Sequence, residues 1–183
     1  MWNSNMRKIS FFFLFFVFCL IPKSVLALDT MEPTTNFYIN DYADILSSET
    51  ESYIMKHSVA LANQTTAQIV VVTVPNLDGA SLEEYATTLF RKFGIGDKEE
   101  NNGLLLLLAL EERQMRVEVG YGLEGILPDG KTGRFQDDYM IPYFKEDNFD
   151  EGMLNGYKAF FQEVATYYDF DGEIDAPVEN ETS

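Results

Sequence analysis

Residues 104–110, Leu-Leu-Leu-Leu-Leu-Ala-Leu, form an unbroken apolar run between Asn101-Asn102-Gly103 and Glu111-Glu112-Arg113-Gln114. The run is too short to cross a bilayer as a helix, and its polar brackets mark it as a central strand covered on both faces. Residues 115–119 alternate instead. Met115, Val117 and Val119 fall on one side and Arg116 and Glu118 on the other, the pattern of a strand with one buried face. The short polar connection makes the two an antiparallel pair. Residues 68–74, dense in Val and stopped by Pro75, predict a further strand.

Helical periods occupy most of the rest. Leu46, Thr50, Ile54, His57 and Leu61 share one face of a helix expected over residues 48–63, with Ser47 or Ser48 as cap and Ser48 and Glu51 at capping-box spacing. Ser81 and Glu84 repeat that spacing ahead of Leu82, Tyr85, Ala86, Leu89, Phe90 and Phe93, and Gly94 and Gly96 end the stripe. Asp129 is expected to cap a third helix, in which Phe135, Tyr139 and Tyr143 recur until Pro142 interrupts it. Asp150 is expected to cap the last, with Met153, Tyr157, Phe160, Phe161, Val164 and Tyr168 inward. Residues 38–44 read as a turn-rich approach to the first helix. This order predicts an α/β fold, a three-layer α/β/α sandwich with a mixed central sheet.

The ends of the chain differ in character. Arg7 and Lys8, the apolar stretch 11–21 and Val25-Leu26-Ala27 have the layout of a cleaved secretory signal over residues 1–27. Residues 28–36 then form a leader, 37–168 one domain and 169–183 an acidic, aperiodic tail expected to be disordered. The protein is expected outside the cell. Cys19, the single cysteine, lies within the signal, so the mature domain relies on its hydrophobic core without a disulfide.

The formal charge is −17, and it becomes −20 once the signal's Arg7, Lys8 and Lys23 are removed. Nucleic acid is excluded as a partner because no cationic cluster exists to meet phosphates, and unassisted binding to an anionic membrane is disfavoured on the same ground. A field of this sign attracts divalent cations and cationic partners.

Several chemistries drop out. One histidine, His57, on an apolar helical stripe, and no mature cysteine rule out zinc sites of nitrogen and sulfur ligands and Cys-His nucleophiles. No Gly-x-Ser-x-Gly turn is present. A loop starting at Asp97 has Asn102 at the sixth position, with Gly103 one late, and a loop starting at Asp147 has Lys158 at the twelfth, so neither is an EF-hand. Asp169-Phe170-Asp171-Gly172-Glu173 resembles an aspartyl phosphatase loop but follows a helix too late in the chain. What remains is a dispersed set of oxygen donors in loops: Asp44, Asp97, Asn101, Asn102, Glu124 and Asp129. The plainer reading makes Asp44 and Asp129 turn and cap residues and Asn101-Asn102 a turn.

The chain resembles the TPM domain family, known from secreted or membrane-anchored bacterial proteins and from thylakoids. The resemblance rests on Asn40-Asp41-Tyr42-Ala43-Asp44, residues 67–74, Gly94-Ile95-Gly96-Asp97, Asn102-Gly103 with the leucines, Arg116-Val117-Glu118-Val119-Gly120-Tyr121-Gly122-Leu123-Glu124-Gly125 and Leu127-Pro128-Asp129. It implies an α/β/α fold, an acidic groove for calcium or a related divalent ion and a proposed acid phosphatase activity. It also implies, in other members, a role as accessory factors to membrane complexes. On that basis a divalent cation, calcium first, is expected at Asp44, Asp97, Asn102, Glu124 and Asp129. Glu124 or Asp129 would orient the water in phosphomonoester hydrolysis. The alternative is a non-catalytic module for a cell-envelope partner. Asn101-Asn102-Gly103 stands where the family usually has Asp-Asn-Gly, one carboxylate fewer.

Overall fold

The computed structural model describes residues 30–173 and 175–178; the expected signal lies outside them. Among these residues no helix is long and apolar enough to cross a membrane.

The sheet has four strands in the order β1 (Ile39–Asp41), β2 (Gln68–Val74), β3 (Gly103–Ala109) and β4 (Gln114–Val119). β1, β2 and β3 are parallel, and β4 returns antiparallel to β3, so the sheet is mixed as expected. Every residue of β3 is buried, which the leucine run demands: it has a neighbour on each edge and a layer on each face. Each fully buried leucine there contributes about 2 kcal/mol by removal from water.

Among the described residues, five α-helices cover the two faces. α1 (Ser48–Thr65), α3 (Asp129–Tyr139), α4 (Ile141–Lys145) and α5 (Phe149–Tyr167) lie on one side. Ile54 and Leu61 of α1 and Tyr157, Phe160 and Phe161 of α5 pack there on Ile69, Val71, Leu104 and Leu106. α2 (Leu82–Phe93) lies on the other side, with Tyr85, Ala86, Leu89 and Phe93 against Val70, Val72, Leu105 and Leu107. Alternation along each strand thus feeds two separate cores.

Some local expectations shift. β1 lies within the segment expected as a turn-rich approach; its three residues carry no period, and only pairing with Val71, Val72 and Thr73 makes them a strand. Ser47 is the cap of α1, its hydroxyl accepting from Thr50 N at 3.2 Å, while Ser81 caps α2 as expected. Asp129 is the first residue of α3 and Pro128 its cap, and Asn148, not Asp150, precedes α5. Pro142 falls in the first turn of α4, where its missing N–H costs nothing, and the helix breaks at Met140. The described tail residues, 169–173 and 175–178, form no helix or strand and lie against the body: Phe170 meets Phe161 edge-on, and Tyr53 Oη donates to Asp175 at 2.8 Å. These apolar and hydroxyl contacts hold them.

Candidate functional site

β3 begins where β4 ends, so the loop entering β3 and the loop leaving β4 meet at one end of the sheet. Gly120 N donates to Gly103 O at 2.8 Å and Gly122 N to Asn101 O at 3.0 Å. A Cβ on Gly122 would sit 2.0 Å from Glu100 O, and one on Gly103 2.4 Å from Ile95 O, so backbone touches backbone throughout this junction.

Asp97, half-exposed, and Asn102, fully buried, belong to the junction's scaffold. Asp97 Oδ1 accepts from Glu99 N at 2.8 Å and from Glu100 N at 3.0 Å. The Glu100 and Glu99 N–H groups hold its carboxyl below the usual carboxylate range. Asn102 is fully buried; its Oδ1 accepts from Asp97 N at 3.1 Å and its Nδ2 donates to Thr66 Oγ1 and Tyr168 Oη. An amide so engaged ties three segments together and does not present an oxygen to solvent.

Asp44 is elsewhere. It follows β1, whose last residue, Asp41, pairs with Thr73, whereas the Asp97 loop touches Gln68 through Gly96 N at 2.7 Å. Five residue steps along β2, from Gln68 to Thr73, separate the two ends, roughly 17 Å at strand rise. Asp44's neighbours are carboxylates: burial, then Asp41 and Asp44, raise the Glu51 carboxyl above its usual range. Asp41 itself organises the turn, its Oδ2 accepting from Ile45 N at 2.9 Å and Leu46 N at 2.8 Å. That role was invisible in a segment read without a strand.

Glu124 and Asp129 do share a site. An open cleft of about 720 Å³ runs beside β4 and is lined by Arg116, Val117, Glu118, Glu124, Asp129 and Gln136 among others. Both residues are exposed, and neither carboxylate has a side-chain partner among the described residues. Arg116 Nε donates to Glu118 Oε2 at 2.9 Å, and Thr87 Oγ1 to Glu118 Oε1 at 3.1 Å, so the cation lining the cleft is paired and each Glu118 oxygen already accepts one hydrogen bond. The alternation of β4 already placed Arg116 and Glu118 on one side; their place on a cleft wall needed α2.

The five expected ligands therefore divide into three places: Asp44 at one end of the sheet, Asp97 and Asn102 in the junction at the other, Glu124 and Asp129 on the cleft. As a single coordination sphere they do not fit a divalent cation. Among the described residues no group of three or more His, Cys, Asp or Glu is placed to hold a metal ion. His57 is buried in an aromatic stack with Tyr53 and Phe161, its Nδ1 on Tyr53 O at 2.8 Å, away from the cleft.

A family model described as the TPM domain matches residues 39–163. Among solved structures, the N-terminal domain of a P. gingivalis protein is 34% identical, with 79% of this chain and 98% of that chain covered and a TM-score of 0.69. The BA42 protein of the psychrophilic bacterium Bizionia argentinensis shares the fold at 18% identity, covering 74% and 92% with a TM-score of 0.59. So does the N-terminal domain of a Corynebacterium glutamicum protein, at 18%, 85% and 97% with a TM-score of 0.53. No curated protein matches the chain.

Proposed function

The chain belongs to the TPM domain family, and from that premise we propose that it is a secreted, non-catalytic accessory module that engages a cationic cell-envelope partner through the acidic cleft beside β4. The observation that carries this reading is the charge of the cleft. Its lining cation, Arg116, is tied to Glu118 at 2.9 Å, and Glu124 and Asp129 add uncompensated negative charge. A phosphomonoester would approach against like charge, whereas a lysine- or arginine-bearing partner is drawn in. The signal-like pattern of residues 1–27 supports placing that partner in the envelope.

A second reading keeps a divalent cation, calcium first, on the two carboxylates that share the cleft, and with it an acid phosphatase activity. It is favoured by Glu124 and Asp129 lying together without partners. One experiment separates the two. p-Nitrophenyl phosphate is incubated with the protein at acid and neutral pH, with and without millimolar calcium or magnesium. No turnover above buffer is expected. Cation-dependent turnover that disappears in Glu124→Gln and Asp129→Asn would establish the second reading and remove the first. Thermal melting in calcium against an ionic-strength-matched control reads cation binding separately, since a ligand selective for the native state raises the midpoint.

A further inference from the structure

β4 is an edge strand, and its register decides which backbone groups are free. Gly120 N donates to Gly103 O, so Gly103 and Gly120 are a bonded pair. Bonded and non-bonded pairs alternate along an antiparallel ladder. Glu118, Arg116 and Gln114 therefore turn their N–H and C=O groups to Leu105, Leu107 and Ala109 of β3. Met115, Val117 and Val119 turn theirs outward. None of these outward groups has a hydrogen bond among the described residues, and all three residues line the cleft.

Natural sheets usually blunt such an edge with a bulge, a proline, a lysine or a covering element. The opposite edge, β1, is only three residues long. β4 carries the charged pair Arg116 and Glu118, but it has no proline, lysine or bulge: its register with β3 is continuous from Gln114 to Val119. Leu82 of α2 and Thr132, Gly133 and Gln136 of α3 stand on the cleft's walls, with about 720 Å³ of space between. The six residues of β4 span about 20 Å, and a strand seated 4.8 Å from it would lie in that space.

Charge selects the occupant. Arg116 serves Glu118 and reaches Glu83 at 4.0 Å, which leaves Glu124 and Asp129 without a cation. A second copy of the chain would bring two acidic rims together in a molecule of formal charge −17. We infer that β4 accepts an extended, cationic segment of a partner protein as a fifth strand. Main-chain bonds to Met115, Val117 and Val119 supply the seat, and lysine or arginine side chains reach Glu124 and Asp129. This rests on the binding-module reading and names its mode of engagement.

The test is titration of the ¹⁵N-labelled protein with an end-blocked, alternating Lys-Val hexapeptide, beside its Glu-Val counterpart. The Lys-Val peptide should slow amide exchange at Met115, Val117 and Val119. The Arg116 and Glu118 amides, already bonded to β3, should change little, and added salt should weaken binding. Val117→Pro removes an outward donor and leaves the β3 ladder intact, so a folded variant should bind about tenfold more weakly. Glu124→Gln and Asp129→Asn, both at exposed residues outside the core, should each weaken binding about threefold and keep the inference testable if the proline variant fails to fold. No binding at millimolar peptide, equal binding of the Glu-Val peptide, or self-association through β4 in sedimentation would overturn the inference. Binding in the cleft without protection of the three amides would sink strand addition yet leave the module standing. Phosphomonoester turnover is what removes the module itself.

Discussion

At the scale of residues, the glycines after β4 look alike in sequence but meet different surroundings. A Cβ on Gly122 would sit 2.0 Å from Glu100 O, a backbone atom that cannot move without shifting the junction, while one on Gly125 meets nothing within 4 Å. Gly122→Ala should therefore destabilise by about 1–3 kcal/mol, and Gly125→Ala should be neutral or stabilising by up to about 1 kcal/mol, in urea denaturation. Equal effects would mean that the junction is looser than described. Asp97 makes a second case. Its folded pKa is depressed by the Glu100 and Glu99 N–H groups, so its stabilising contribution is complete above the unfolded value of about 4 and is lost as pH falls through the folded value. The advantage of the wild type over Asp97→Asn should accordingly be present at pH 7 and vanish on the acid limb of a denaturation series. A constant difference across pH would remove that role. Both residues were legible as special in the sequence. Their function as scaffold was not, because a loop's oxygen looks the same whether a backbone N–H or a ligand faces it.

At the scale of elements, β3 shows why apolar runs are read so readily. Seven consecutive buried residues, from Gly103 to Ala109, leave only a two-sided strand as a solution at that length. Leu106 is fully buried in the core beneath α1 and α5, so Leu106→Ala should cost about 2–5 kcal/mol of unfolding free energy through cavity formation. Val119, only half-buried on the edge strand, should cost about half as much or less when cut to Ala. Comparable losses at the two would contradict the assignment of β4 as an edge. β1 escaped notice for the opposite reason: Ile39, Asn40 and Asp41 have no periodicity of their own and are made a strand by Val71, Val72 and Thr73. Caps were legible in kind more than in place. Asp150, expected to cap α5, instead accepts from Ser47 N at 3.0 Å and links the starts of α5 and α1, a contact 103 residues apart in sequence.

At the scale of the whole molecule, the amino-acid sequence by itself determined the α/β class, the order of the main helices and the three longer strands, the two-faced core and the family. All of these rest on local periods or ordered motifs, and local periods survive folding unchanged. It also determined that the molecule as a whole is acidic, since net charge is a sum that needs no arrangement. Which acids act together was decided only by tertiary structure. The parallel run of β1 beside β2 carries Asp44 away from Asp97 by roughly 17 Å at strand rise. The antiparallel return of β4 brings Glu124 and Asp129 beside Arg116 and Glu118 on one cleft. Strand direction and register are properties of pairs of segments. No single stretch of chain contains them, and they leave Met115, Val117 and Val119 with backbone groups facing open space.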